Sequence, residues 1–140
     1  MRKKILIVED DPDVRRGMHV RLKANHYDTF FAGDAISSIA EARKHQPDLI
    51  ILDIGLPAGD GFVVMERLKT IPSLAEIPVI IVSALGIAAN QERALQAGAK
   101  AYLQKPMDNA EFLAVIRQAL GEPAEQEEPF VYDLGSRKTA

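Results

Sequence analysis

Five polar residues with chemically useful side chains follow short apolar runs in this sequence. Glu9 and Asp10 come directly after the first run, Asp53 after the third, Ser83 after the fourth and Lys105 a few residues into the fifth segment. Carboxylates bind hard divalent cations and can act as nucleophiles, while hydroxyl and ammonium groups can bind phosphoryl oxygens. If these side chains converge, their types indicate metal-assisted phosphoryl transfer.

The charges of this set require a partner. Two carboxylates about 4 Å apart repel each other by roughly 4 kcal/mol at an effective dielectric near 20, so three acids in one crevice need a counter-charge or shared protons. Lys105 supplies one positive charge, and a hard divalent cation would supply the rest. Mg²⁺ prefers oxygen ligands and is typically held by one or two carboxylates plus phosphate, so an incomplete oxygen shell points to a phosphoryl group as the missing ligand.

The chain alternates between two hydrophobic periods, and this alternation predicts five strand–helix units. Continuous apolar runs predict strands that are buried on both faces, and apolar residues at helical spacing follow each run. The predicted strands are 4–8, 27–32, 49–52, 79–82 and 101–103. The predicted helix boundaries are an N-cap at Asp11 before Pro12, N-caps at Asp34, Asp60 and Asp108, a break at Pro47-Asp48 and a left-handed cap at Gly98.

Strands of this kind, joined by helices, predict a parallel sheet that helices cover on both sides. Five strands are too few for an eight-stranded barrel. We therefore expect an α/β fold with a doubly wound five-stranded parallel sheet, flavodoxin-like (βα)5, in the strand order 2-1-3-4-5. Ligands of such sheets bind at the carboxyl ends of the strands, where the five polar residues lie.

Composition excludes several function classes. The 140 residues suit one domain, and the absence of cysteine excludes a disulfide scaffold, a thiol nucleophile and a cysteine metal site. No apolar run approaches about 18 residues, so we expect no membrane span and a cytoplasmic location. The three histidines, His19, His26 and His45, match no motif and are interpreted as structural or solvated. The formal net charge of −3 argues against direct nucleic-acid binding.

Charge also marks a boundary near residue 120. Residues 1–120 contain 15 basic and 15 acidic residues, so the whole negative excess lies in residues 121–140. That stretch is rich in Glu and Pro, as solvated linkers are. We predict a domain over 1–120 and an acidic linker or tail of unknown role over 121–140, with a small apolar patch at Phe130, Val131 and Tyr132.

Four segments together resemble a two-component response-regulator receiver domain, a member of the CheY-like superfamily. The resemblance covers about residues 3 to 120 and keeps the order of the motifs. The segments are Ile5 to Pro12 (ILIVEDDP), Asp53 to Pro57 (DIGLP) with Asp60-Gly61, Val82 to Ala84 (VSA), and Tyr102 to Pro106 (YLQKP).

The resemblance implies a role for each acid. Asp53 would be the phosphoacceptor, whose carboxylate becomes an acyl phosphate. Glu9, Asp10 and Asp53, with the backbone carbonyl of Gly55, would hold Mg²⁺, for which Mn²⁺ could substitute. Lys105 would pair with a phosphoryl oxygen. Glu9 stands where the family often has aspartate, and Gly55 leaves the neighbourhood of the phosphoryl group without a side chain.

The resemblance also implies a switch. Ser83 would bind a phosphoryl oxygen, and Tyr102 would turn its ring inward when Ser83 moves. The Lys105–Pro106 peptide bond would be cis. The new charge at Asp53 would then reshape the surface of the fourth helix, the fifth strand and the fifth helix.

The function implied is that of a signalling domain rather than an enzyme, with intrinsic Mg²⁺-dependent self-phosphorylation and self-dephosphorylation. The phosphoryl donor would be a sensor histidine kinase, a histidine phosphotransfer protein or a small acyl phosphate. The output would be an unidentified downstream protein, and the chain would be a monomer or a weak phosphorylation-dependent dimer. We favour a stand-alone receiver; the alternative is the amino-terminal receiver of a longer regulator.

Three other classes share parts of this pattern. A flavin-binding electron carrier has the same fold, but the acids at 9–11 would repel its phosphate. A haloacid-dehalogenase-type phosphatase also uses an aspartyl nucleophile and Mg²⁺. Its usual pattern has a second acid two residues after the nucleophile, where this chain has Gly55. A pure interaction module would show no metal-dependent response.

Overall fold

The computed structural model describes residues 2–56, 61–84 and 87–123, which form five strands and five helices in strict alternation. The strands are β1 (Lys4–Val8), β2 (Asp28–Ala32), β3 (Leu49–Asp53), β4 (Val79–Ser83) and β5 (Ala101–Gln104). The helices are α1 (Pro12–Ala24), α2 (Ala35–His45), α3 (Gly61–Thr70), α4 (Ile87–Gln96) and α5 (Asn109–Ala119). The predicted cap at Asp60 and the apolar patch at 130–132 lie outside the described residues.

The sheet is parallel throughout, in the order β2-β1-β3-β4-β5. This order confirms the predicted doubly wound, flavodoxin-like fold. β3 and β4 are buried at every position, because the sheet carries a hydrophobic core on each face. One core contains Met18 and Leu22 of α1 together with Phe112 and Ile116 of α5. The other packs against α2, α3 and α4.

Side-chain caps begin three of the helices as predicted. The Asp11 carboxylate accepts hydrogen bonds from the backbone N–H groups of Asp13 and Val14. Asp34 and Asp108 each accept one from the backbone three residues further on. Each cap satisfies N–H groups that have no partner inside the helix. Gly98 follows α4 with φ of 99°, as a left-handed helix stop requires.

Several predicted boundaries differ from the observed ones by one or two residues. β3, β4 and β5 each extend one residue further than predicted, to Asp53, Ser83 and Gln104. β2 begins at Asp28 rather than Tyr27, because the Tyr27 N–H bonds to the carbonyl of Leu22 and closes the end of α1. α2 ends at His45, and Gln46 adopts a left-handed conformation with φ of 46° before the proline is reached.

Within the described ranges, none of the helices is long and apolar enough to cross a bilayer.

Candidate functional site

The carboxyl ends of β1 and β3 bring three acids together. These two strands are neighbours in the sheet, so the residues that follow β1 lie beside the last residue of β3. Carboxylate oxygens of Glu9, Asp10 and Asp53 all lie within 4.8 Å of one another. Glu9 and Asp53 are 1% and 7% exposed, whereas Asp10 is open to solvent. The cluster could hold a metal ion, with two buried carboxylates and one exposed carboxylate as its ligands.

Lys105 reaches the same cluster from the end of β5. Its backbone N–H donates to the Ser83 carbonyl at 2.8 Å, which extends the β4–β5 pairing by one residue, and its peptide bond to Pro106 is cis. Its ammonium donates to Glu9 Oε1 at 2.6 Å and to Asp53 Oδ2 at 3.2 Å. One cation therefore bridges the two buried acids.

Burial and charge both shift the pKa values of Glu9 and Lys105 in this cluster. Burial raises the pKa of Glu9, and the charge of Asp53 raises it further, against the hydrogen bonds from Lys105 and the Asp11 N–H that favour the ionised form. Burial alone would lower the pKa of Lys105, but the hydrogen bond and charge of Glu9 together with Asp53 raise it above its ordinary value. The cluster contains three carboxylates and one ammonium group. A second cation would favour the ionised form of the carboxylates.

The two oxygens of Asp53 have different surroundings. Oδ2 faces Lys105, and Oδ1 accepts a hydrogen bond from the Gly55 N–H at 2.9 Å. A Cβ at position 55 would lie 3.5 Å from Oδ1, which is an ordinary contact distance. A side chain at position 55 would therefore contact the Asp53 carboxylate, and glycine leaves that contact unmade.

Gly61 lets α3 begin directly against the end of β3. Its N–H donates to the Ile54 carbonyl at 3.0 Å. A Cβ at this position would lie only 2.7 Å from the Ile54 Cα and 2.8 Å from the Asp53 carbonyl oxygen. The structure thus shows a close approach of backbone to backbone immediately behind Asp53, which only glycine permits without a shift.

Ser83 is the last residue of β4, and Tyr102 lies on the neighbouring strand β5. Asp53 pairs in register with Val82, so Ser83 stands one residue beyond the partner of Asp53 on the neighbouring strand. Ser83 is 2% exposed. The Tyr102 ring is also buried and belongs to the core that includes Ala94 of α4.

The structure adds Arg15 to the residues around Glu9. Its guanidinium donates to the Glu9 backbone carbonyl at 3.1 Å and so ties the first turn of α1 to the end of β1. The sequence interpretation did not include Arg15. The available signal was its position one turn after the Asp11 cap, where a long side chain can reach back to the strand end.

Fold and site together define the class of protein. The family model described as "Response regulator receiver domain" matches residues 5–117, and the chain belongs to this family, whose members act in two-component signalling. This finding favours the receiver over the flavin-carrier and phosphatase alternatives, which share only the fold or the acid nucleophile.

Two curated relatives show how similar the chain is to individual members. The DNA-binding dual master transcriptional regulator RpaA of Synechocystis is 41% identical over 117 residues, which cover 84% of this chain and 48% of that protein. The chain thus spans about half the length of RpaA. The polar-differentiation response regulator DivK of Brucella anthropi is 35% identical over 122 residues, which cover 87% of this chain and 99% of DivK.

Solved receiver structures show the same architecture. A CheY-like receiver domain protein from Methanospirillum hungatei superimposes with a TM-score of 0.78 at 29% identity, covering 86% of this chain and 95% of that chain. The receiver domain of a sensor histidine kinase from Pseudomonas aeruginosa superimposes with a TM-score of 0.79 at 27% identity, covering 87% of this chain and 100% of its own. That structure holds a magnesium ion in its active-site cleft.

Proposed function

We propose that this receiver is a phosphoacceptor switch in which a phosphoryl group passes to the carboxylate of Asp53. The observation that carries the proposal is the convergence of Glu9, Asp10 and Asp53 within 4.8 Å, with the Lys105 ammonium 3.2 Å from Asp53. Catalysis of phosphoryl transfer consists mainly of positioning and of electrostatic stabilisation of the phosphoryl oxygens. This cluster supplies a nucleophile, a fixed cation and hard ligands for a second cation.

The proposed donor is a phosphohistidine of a sensor histidine kinase or a histidine phosphotransfer protein. One Asp53 oxygen forms a bond to phosphorus while the bond from phosphorus to the imidazole nitrogen breaks. The electron pair stays on that nitrogen, and the ring leaves neutral when its other nitrogen carries a proton. With acetyl phosphate, the bond to the acyl oxygen breaks instead and acetate leaves. Lys105 then lies beside the new phosphoryl oxygens and balances part of their charge.

The donor set fits Mg²⁺. Three carboxylates offer hard oxygen ligands, and the exposure of Asp10 leaves room for the waters that Mg²⁺ keeps. We propose Glu9, Asp10, Asp53 and the Gly55 backbone carbonyl as the protein ligands, with Mn²⁺ as a substitute. Bound Mg²⁺ supplies positive charge that neutralises the phosphoryl oxygens during transfer. The magnesium ion in the cleft of the Pseudomonas aeruginosa receiver supports this assignment.

Ser83 and Tyr102 are the proposed readout. The Ser83 hydroxyl would donate a hydrogen bond to a phosphoryl oxygen. The accompanying movement of Ser83 would change the packing of Tyr102 against α4, and with it the surface formed by α4, β5 and α5. Because the Tyr102 ring is already buried in this structure, the phosphoryl group would suppress an outward orientation of the ring rather than create the buried one.

The partners follow from this chemistry. We propose a phosphohistidine donor, Mg²⁺-dependent self-dephosphorylation at Asp53, and a downstream protein that recognises the α4-β5-α5 surface. Whether the chain is a monomer or a weak phosphorylation-dependent dimer stays a prediction, as do its cytoplasmic location and the boundary at residue 120.

Labelling of the full chain with acetyl phosphate tests the proposal. Intact-mass spectrometry should show the addition of one phosphoryl group, only in the presence of Mg²⁺, and peptide mapping should place it on Asp53. Asp53→Asn should abolish the adduct, while Asp13→Asn, an exposed acid on α1, should leave it unchanged. An adduct that persists in Asp53→Asn would rule out Asp53 as the acceptor.

A further inference from the structure

An open groove runs along the outer edge of the sheet, between α1 and the edge strand β2. One part has a volume of about 250 Å³ and lies beside Lys23 and Tyr27. A second part of about 290 Å³ continues along α1 beside Arg15, Arg16 and Phe31, and His19 lines both parts. We call this surface the α1–β2 groove.

The α1–β2 groove is positively charged. Arg16 and Lys23 are exposed, and within the described part of the chain no ion pair or side-chain hydrogen bond engages either of them. Arg2 also lines the groove, where it forms an ion pair of 3.6 Å with Asp28, the one carboxylate among the lining residues. The groove therefore offers unsatisfied positive charge to a negatively charged segment.

The groove also has an exposed aromatic surface. Phe31 is 39% exposed although it is a large apolar side chain on a strand. The His19 ring contacts it edge-on with centroids 5.5 Å apart, and the Arg15 guanidinium lies 5.8 Å from its centroid. An aromatic side chain that docked here would cover Phe31 between two cationic or polar neighbours.

The chain leaves α5 at the start of this groove. The Tyr27 hydroxyl donates to Glu122 Oε1 at 2.7 Å, and Arg117 donates to the Asn25 side chain at 3.2 Å. Tyr27 itself lines the groove. These two contacts fix residue 122 beside the groove, on the side of α1 that also packs against α5.

The segment that follows has the complementary composition. It carries three acids, Glu125, Glu127 and Glu128, then Phe130 and Tyr132, and its first basic residue is Arg137. Eight residues beyond residue 122 can span up to about 26 Å. The strand distance from Tyr27 to Phe31 is only about 13 Å, so the aromatic pair can reach Phe31 with slack.

We propose that the α1–β2 groove is a docking site for the chain's own segment 123–132. The acids of this segment lie against Arg16 and Lys23, and its aromatic residues lie against Phe31. The interaction is intramolecular and electrostatic in part, so it weakens as salt rises. It concerns a surface that the proposed phosphoryl chemistry does not use, and it stands or falls independently of that chemistry.

Paramagnetic labelling of the full chain tests this docking. The chain has no cysteine, so Val131→Cys provides a single attachment point for a nitroxide. Amide signals of residues 15–23 and 28–31 should broaden strongly. Broadening should fall several-fold in about 1 M salt, where the Debye length is about 3 Å, and in Arg16→Glu/Lys23→Glu. The matched control Arg67→Glu/Lys100→Glu reverses two exposed bases elsewhere and should keep the broadening.

A second variant removes the charge from the tail and leaves the folded body unchanged. Replacement of the three acids of the segment by glutamine should reduce the broadening as the groove variant does. A separate hollow lies between Ile36 of α2 and Val63 of α3. Broadening there would overturn the proposal, as would no localised broadening at all. Broadening seen only between labelled and isotope-enriched copies would also overturn it, because the occupant would then be a second copy.

Discussion

The ammonium of Lys105 lies 2.6 Å from the carboxylate of Glu9, closer than the 3.2 Å that separates it from Asp53. The shorter ion pair thus joins the lysine to a proposed metal ligand rather than to the proposed acceptor. A cation that binds Glu9 would compete with Lys105 for that carboxylate. Metal binding would therefore release the Lys105 ammonium from Glu9 toward Asp53. There it could pair with the oxygens of a phosphoryl group, as the proposed function requires.

Replacement of Lys105 should separate stability from metal affinity. Lys105→Met leaves Glu9 and Asp53 buried without their counter-charge, so the metal-free protein should lose about 3 kcal/mol of unfolding free energy. Mg²⁺ should bind several-fold tighter, because a competing positive charge is gone. Denaturant unfolding and calorimetric titration measure the two effects. Lys100→Met, at an exposed position, should change neither; weaker Mg²⁺ binding in Lys105→Met would contradict the competition.

Mg²⁺ should stabilise the fold through the acid cluster. At a free concentration ten times its dissociation constant, the gain in unfolding free energy should be about 1.4 kcal/mol. Asp10→Asn should remove most of this gain while changing metal-free stability by less than about 0.5 kcal/mol, because Asp10 is exposed. Asp13→Asn is the control for lost surface charge. A full Mg²⁺ shift in Asp10→Asn would exclude Asp10 as a ligand.

Two glycines should respond in opposite directions to the same substitution. Gly61→Ala forces a methyl group to within 3 Å of the backbone behind Asp53, so it should cost about 1–3 kcal/mol and slow labelling of Asp53. Gly17→Ala places a methyl group in open space within α1 and should stabilise the fold by about 0.5–1 kcal/mol. Thermal unfolding compares them; a neutral Gly61→Ala would show that α3 can move away.

The side chain at position 55 should control the lifetime of the phosphorylated form. A methyl group there meets Asp53 Oδ1 at ordinary contact distance, so Gly55→Ala should fold normally. Because the methyl group covers one side of the acceptor, water should attack the acyl phosphate more slowly. The decay of the labelled species, followed by mass spectrometry, measures this. Gly17→Ala serves as the control, and an unchanged or faster decay in Gly55→Ala would be inconsistent with the idea.

Tyr27 should make stability depend on alkaline pH. Burial and the neighbouring Glu122 raise its pKa from 10.0 to about 12. A group whose pKa is raised in the folded state contributes its full stability below pH 10, and that contribution is lost as pH rises to about 12. The loss should amount to about 1.3 kcal/mol between pH 9 and pH 11, and to about 2–3 kcal/mol once the pH exceeds 12. Denaturant unfolding at pH 9 and pH 11 measures it.

Two variants test the origin of this dependence. Tyr27→Phe should lose about 1 kcal/mol at pH 9, where the hydrogen bond to Glu122 is removed, but should show a much smaller further loss at pH 11. Glu122→Gln keeps a hydrogen-bond acceptor without the charge and should reduce the alkaline loss in part. An alkaline loss in Tyr27→Phe equal to that of the unmodified chain would assign the effect to another group.

The sequence predicted the fold well because its signals are local and agree with one another. The five apolar runs require strands that are buried on both faces, and Asp11, Asp34 and Asp108 have capping side chains that act within three residues. The same topology predicted that Glu9, Asp53 and Lys105 would meet, because parallel strands end at one edge of the sheet. The structure places these residues together.

Other features could not be predicted, because they depend on side-chain distances in the folded state. The spacing of residues along the sequence does not determine these distances. The preference of Lys105 for Glu9 over Asp53 is a matter of side-chain reach in the folded state. The contact of Tyr27 with Glu122 joins residues 95 positions apart, and the close approach at Gly61 depends on how α3 packs. The roles of Glu9, Asp53 and Lys105 in phosphoryl transfer stay predictions that the experiments above address.

Every residue of β3 is buried, and the strand lies in the middle of the sheet with Asp53 at its end. Amide protons in such a position exchange with solvent only when the whole domain opens. We therefore expect Asp53, the proposed acceptor, to lie at the end of the most stable strand of the sheet, whereas β2 and β5 occupy the edges. Under the proposed function, we expect a signal from Asp53 to reach the edge strand β5 through β4 rather than through a distortion of β3.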